Sequence, residues 1–96
     1  MTWIATIQPE HADGRLREAY HFVYSLYPPE YAVEVDAVKH QDGGADSIVA
    51  AHSLIPEALR HAMAAFGVLI APDLPLSRRQ HEMIATVVSA LNGCFY

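Results

Sequence analysis

Ser77 and Gly93 bracket a stretch whose ends and faces are set by residue type, and no other part of the sequence narrows the fold as far. Ser77 followed three residues later by Gln80 forms a capping box, in which the serine hydroxyl accepts a backbone N–H and the glutamine reaches back to the cap. The spacing therefore predicts a helix that starts at Arg78. Ile84, Val87, Val88 and Leu91 recur on one helical face, while Ala85, Thr86 and Ser89 make a small, mildly polar face that also holds Glu82. The first face is expected to be core, and the second to allow close approach. Asn92-Gly93 supplies residue types that tolerate the left-handed turn closing a helix, so the chain should change direction just before Cys94. Arg78 and Arg79 oppose the dipole at the helix start, which calls for solvation or an acid from another subunit to offset them.

Cys94 is the single cysteine of the chain. Placed after such a break, it is positioned to open a following helix, where unpaired N–H groups and the positive dipole end favour a thiolate. The competing reading is a small buried apolar residue without chemistry. Glu82 has a plain reading too, as an acid of the first turn that complements the helix dipole.

The segment LSRRQHEMIATVVSALNGCFY resembles the alkylhydroperoxidase D-like family, within the carboxymuconolactone decarboxylase superfamily, and in particular its peroxidase-related members. The family pattern is a glutamate, then Ser and Asn on the same helix, then Cys-x-x-Cys with a histidine four residues after the second cysteine. Glu82, Ser89, Asn92 and Cys94 match in type and order, and the twelve-residue interval from Glu82 to Cys94 is the family spacing. The sequence ends at Tyr96, one residue before the second cysteine of that pattern would fall, so the histidine is lacking as well. The resemblance implies that the missing cysteine attacks peroxide, that Cys94 is the resolving or proton-donating thiol, and that Glu82 is the carboxylate of a proton relay. It also implies an all-α helical bundle, of which residues 1–96 form the amino-terminal part of a single domain, incomplete in this chain. On a straight helix Glu82 and Cys94 are about 18 Å apart. The carboxylate would then serve groups on a following antiparallel helix and not Cys94 itself.

Ninety-six residues allow one domain, near the size at which burial becomes marginal, yet 52% of them are hydrophobic. Apolar surface left over by so short a helical chain is expected to be covered by further helices or subunits, so a homo-oligomer is predicted. A net charge of −5 without a basic stripe excludes nucleic acid as a partner. The longest apolar run, Ala62 to Ala71, is too short to cross a bilayer, and no secretory signal opens the sequence. A lone thiol meant for redox cycling fits a reducing compartment, which makes the cytoplasm the expected location.

Upstream, MTWIATIQ before Pro9 reads as an extended arm anchored by Trp3. A helix is expected from Asp13-Gly14, with Leu16, Ala19, Tyr20, Val23 and Tyr27 on one face, ended by Pro28-Pro29. Its tyrosines at helical spacing are read as core or interface. Tyr31 to His40 fits a strand or a helix, with helix preferred, and His40 to Asp46 is a loop. Ser47 to Ser53 predicts a short helix, and Pro56 the first turn of a longer one. Along it Ile55, Leu59, Ala62, Met63, Phe66, Leu69 and Ile70 form a broad apolar side, up to Ala71 before Pro72. Ala12-x-Gly14-x-Leu16 with Tyr20, SLIPEAL at Ser53 to Leu59, and Pro75-Leu76-Ser77 extend the family resemblance.

Six histidines raise the question of metal, but His81-Glu82 is followed at the fifth position by Ala85, not the second histidine of HExxH. His52 and His61 share no helical face, so neither a metal nor a cofactor is expected. Hydrolase, dinucleotide and P-loop motifs are absent. The resemblance therefore implies thiol-dependent reduction of a hydroperoxide with a thiol or dithiol reductant, the chain alone being inactive. Two other classes stand beside it: a non-enzymatic helical oligomerisation module, and decarboxylase-like lactone chemistry of the same superfamily, which needs no paired cysteines.

Overall fold

The computed structural model describes residues 3–33, 35–36, 44–45 and 47–94. The described residues are all-α, with no strand among them. In chain order they form a 3-10 turn at Pro9–His11, α1 at Gly14–Ser25, a second 3-10 turn at Pro29–Ala32, α2 at Ser47–Ala50, α3 at Pro56–Leu69 and α4 at Arg78–Leu91.

The core lies between α1 and α3 and is sealed by α2. Leu16, Ala19, Tyr20 and Val23 recur at helical spacing on α1 and are buried against Leu59 and Met63 of α3, with Val49 and Ala50 of α2 closing the cluster. Each large aliphatic side chain fully enclosed here contributes about 1.5–3 kcal/mol. Gly67 lets the end of α3 approach the end of α1, since a Cβ there would lie 3.1 Å from Leu26 Cδ1. Pro56 occupies the first turn of α3, where its missing N–H costs nothing. Pro28-Pro29 ends α1 and sends the chain into the second 3-10 turn.

The arm does lie on the body, but Trp3 is not its anchor, being fully exposed at 102%. Ile7 and Gln8 hold it instead. The Ile7 N–H donates to Ser53 Oγ at 2.8 Å, the Tyr20 hydroxyl donates to the Ile7 carbonyl at 2.6 Å, and the Ala45 N–H donates to Gln8 Oε1 at 2.9 Å. Ser53 is thereby a buried polar residue with a partner. Burial, opposed by the Ser53 hydroxyl and aided by the Glu10 charge, raises the Tyr20 phenol above its ordinary value.

Three further expectations change. The short helix stops at Ala50, because Ala51 to Leu54 continue as turns towards Pro56. Of the α3 apolar side only Leu59 and Met63, with Ile70 just beyond, are buried, whereas Ile55, Ala62, Phe66 and Leu69 are exposed. The helix preferred for Tyr31 to His40 begins as the 3-10 turn, Val33 lies outside any helix, and 37–40 fall outside the described residues. Of the HQDGGAD loop only Gly44 and Ala45 are described.

Candidate functional site

The site is built on α4, and its two ends form as their residue types dictate. Ser77 Oγ accepts the Gln80 N–H at 3.3 Å while Gln80 Oε1 accepts the Ser77 N–H at 2.8 Å, so both halves of the capping box are present. At the other end Gly93 takes φ of +64°, the Gly93 N–H bonds the Ala90 carbonyl at 3.2 Å, and the Cys94 N–H bonds the Ser89 carbonyl at 2.9 Å. Those two bonds are the pair that defines a Schellman turn. Cys94 therefore closes α4, its N–H spent on Ser89, and its thiol is exposed. The expectation that Cys94 opens a following helix turns on residues outside the described set. Among the described residues the Cys94 thiol is exposed, against its reading as a buried apolar residue.

Glu82 lies on the second turn of α4, and the first turn contains no acid, so relief of the dipole does not account for it. Its carboxylate accepts a hydrogen bond from the hydroxyl of Tyr31, fifty-one residues away in sequence. Tyr31 is placed by the second 3-10 turn and by a run of aromatic rings leading out from the core. Tyr20 stacks on Tyr24 at 6.3 Å between centroids, Tyr24 on Tyr27 at 6.2 Å, and Tyr27 meets Tyr31 edge-on at 6.2 Å. The Arg78 guanidinium covers the Tyr31 ring at 5.4 Å and donates to the Ile70 carbonyl at 2.6 Å, tying the start of α4 to the end of α3. Desolvation, followed by the hydrogen bond and the charge of Glu82, raises the Tyr31 phenol, and Arg78 opposes part of that rise.

Glu82, Thr86, Ser89 and Cys94, with Ala85 and Ala90 between them, line one concavity of about 400 Å³ along α4. The small face predicted for close approach is thus an open trough with a carboxylate at one end and a thiol at the other. Thr86 adds no free polarity, because its hydroxyl donates to the Glu82 carbonyl at 2.7 Å. A second hollow of about 690 Å³ between α4 and the end of α3 is almost wholly apolar, lined by Phe66, Leu69, Ile70, Ile84 and Val88 among others. Ala85 and Ser89 border both hollows. His81 lines the second, and its Nδ1 is buried with no hydrogen-bond partner among the described residues.

The face of α4 expected to be core is not core within this chain. Ile84, Val87, Val88 and Leu91 are between 50 and 82% exposed, and α4 has no buried residue at all. Its apolar periodicity is real, but no element among the described residues covers it. No group of three or more metal-ligating side chains occurs among the described residues, and no helix there is long and apolar enough to cross a membrane. Sequence reasoning put Glu82 on the small face of α4 and Cys94 at the corner after it, but missed the trough that joins them and missed Tyr31, which carries no local signal for a partner so distant in sequence.

Comparison with protein-family models, with curated proteins and with solved structures finds no match to this chain.

Proposed function

We propose that this chain is the resolving half of a thiol-dependent peroxidase of the alkylhydroperoxidase D-like kind, acting on a hydroperoxide with a thiol or dithiol as reductant. The observation that carries the reading is an exposed thiol at a Schellman corner, sharing one trough with a carboxylate held from behind by a phenol. In the proposed reaction an attacking thiolate takes the distal oxygen of the hydroperoxide, the O–O bond breaks, and the alkoxide leaves as the alcohol after protonation. The Cys94 thiolate then attacks the sulfenic sulfur, forming an S–S bond and releasing water once a proton is supplied. The reductant reopens that disulfide, so two thiol electrons are consumed for each peroxide. Ninety-six residues hold one cysteine, so the attacking thiol lies outside them. Glu82, at the other end of the trough from Cys94, serves protons at that attacking site. Thiol cycling of this kind belongs in a reducing compartment, and the cytoplasm is the proposed setting.

Peroxide consumption by this polypeptide with excess dithiol tests the division of roles. The expected rate is that of a free thiol, and turnover well above it would contradict a resolving role for Cys94. A second reading, a helical interaction module without chemistry, is favoured by the uncovered face of α4 and gains if Cys94 resists alkylation. The trough has no basic side chain among its lining and does have an exposed thiol, which supports the thiol reading over lactone chemistry.

A further inference from the structure

We propose that Tyr31 and Glu82 form a one-electron redox site, in which a peroxyl radical draws an electron from the Tyr31 phenol while the phenolic proton passes to the Glu82 carboxylate. This goes beyond the peroxidase reading and does not depend on it, since Cys94 takes no part. Two observations carry it: what accepts the hydroxyl at each end of the tyrosine run, and the charge that lies over the Tyr31 ring.

A phenol that loses an electron becomes a strong acid, so its oxidation is favoured where a base already holds the hydroxyl proton. Tyr31 donates to a carboxylate, which can keep that proton. Tyr20, at the inner end of the run, is buried and donates at 2.6 Å to the Ile7 carbonyl, which cannot. Between them Tyr24 and Tyr27 keep successive ring centroids 6.2 or 6.3 Å apart, close enough for an electron to pass from ring to ring. A hole formed on any of the four rings therefore settles on Tyr31, at the surface and away from the α1–α3 core.

The Arg78 guanidinium sits 5.4 Å from the Tyr31 ring centroid. Its positive charge destabilises a tyrosyl radical cation. The electron and the proton therefore leave together, and the product is a neutral tyrosyl radical beside a protonated Glu82. The peroxyl radical becomes a hydroperoxide anion, which takes a proton from water and leaves as the hydroperoxide. A thiolate from solution resets the site: it returns one electron to Tyr31, departs as a thiyl radical, and the phenol recovers its proton from Glu82.

The chain carrying Trp3→Phe, Cys94→Ser and Tyr96→Phe removes competing oxidisable side chains outside the run. Peroxyl radicals are supplied to it by a water-soluble azo initiator in aerated buffer, with a nitroso spin trap, and the adducts are located by mass spectrometry. Exposure does not separate Tyr31 from Tyr24, at 43% each. Adducts are nevertheless expected mostly on Tyr31, and to form more slowly in deuterium oxide. Glu82→Gln still accepts the hydroxyl but cannot keep its proton. It is expected to lower the ratio of Tyr31 to Tyr24 adducts by about tenfold or more, since a positioned base contributes about a hundredfold and upward. Adducts divided evenly between the two tyrosines, a ratio unchanged by Glu82→Gln, or equal rates in the two solvents would each overturn the proposal. The solvent comparison needs no substitution at the site, so it stands even if Glu82→Gln fails to fold.

Discussion

Gly93→Ala tests the corner that presents the thiol. At φ of +64° an L-residue brings its Cβ against its own backbone, a strain of about 1–2 kcal/mol that glycine escapes. A Cβ built there meets no other atom within 4 Å, so the cost is purely conformational. Because α4 has no buried residue, the strain is relieved locally by fraying of the last turn, not by unfolding of the α1–α3 core. The bonds that fray are those from Gly93 to Ala90 and from Cys94 to Ser89. Amide hydrogen exchange reads them directly, and the stated cost corresponds to a loss of protection at Gly93 and Cys94 of roughly 5- to 30-fold. The thermal midpoint should move little. A D-alanine at the same position, introduced by chemical synthesis, favours positive φ and should restore protection. If Gly93→Ala leaves those two amides as protected as before, the turn is not left-handed and the account of Cys94 as the close of a Schellman turn is wrong.

Leu59→Ala removes a side chain with no exposed surface at the centre of the α1–α3 contact and should cost about 2–5 kcal/mol, read as a lower denaturant midpoint with an unchanged slope. Tyr31 should titrate above the ordinary phenol value, and Glu82→Gln should lower it part of the way, removing the charge while its amide oxygen still accepts the hydroxyl and burial is unchanged, as read by tyrosinate absorbance against a Tyr31→Phe reference. The sign follows from proton linkage: the folded chain holds the Tyr31 proton more tightly than the unfolded one, so this contribution to stability is whole below pH 10 and lost as pH rises through the raised folded value. Glu82→Gln should therefore flatten the alkaline fall in stability, and a steeper fall would contradict the contact.

What was legible in the sequence was local chemistry. Ser77 with Gln80, Asn92-Gly93, Pro56 and Pro28-Pro29 act on the backbone within a few residues, and each produced the boundary its residue type implies. The α1 pattern also carried through, since Leu16, Ala19, Tyr20 and Val23 found α3 to pack on. The same kind of periodicity misled at α4, because an apolar stripe declares that a face wants covering and says nothing of what covers it. Trp3 failed as an anchor for a related reason: arm placement rests on backbone bonds to Ser53, Tyr20 and Gln8, which ring size does not report. The Tyr31 hydroxyl meets Glu82 only once α1, the proline turn and α4 are all in place, a convergence with no trace in local spacing.

The state of the sulfur carries the most weight, and iodoacetamide labelling of Cys94 under native conditions measures it most directly. An exposed thiol at the end of α4 should be carboxamidomethylated to one equivalent without denaturant, with no burst on adding it. Labelling that waits for denaturant would place the sulfur inside packed side chains and remove the basis for its role as a resolving thiol.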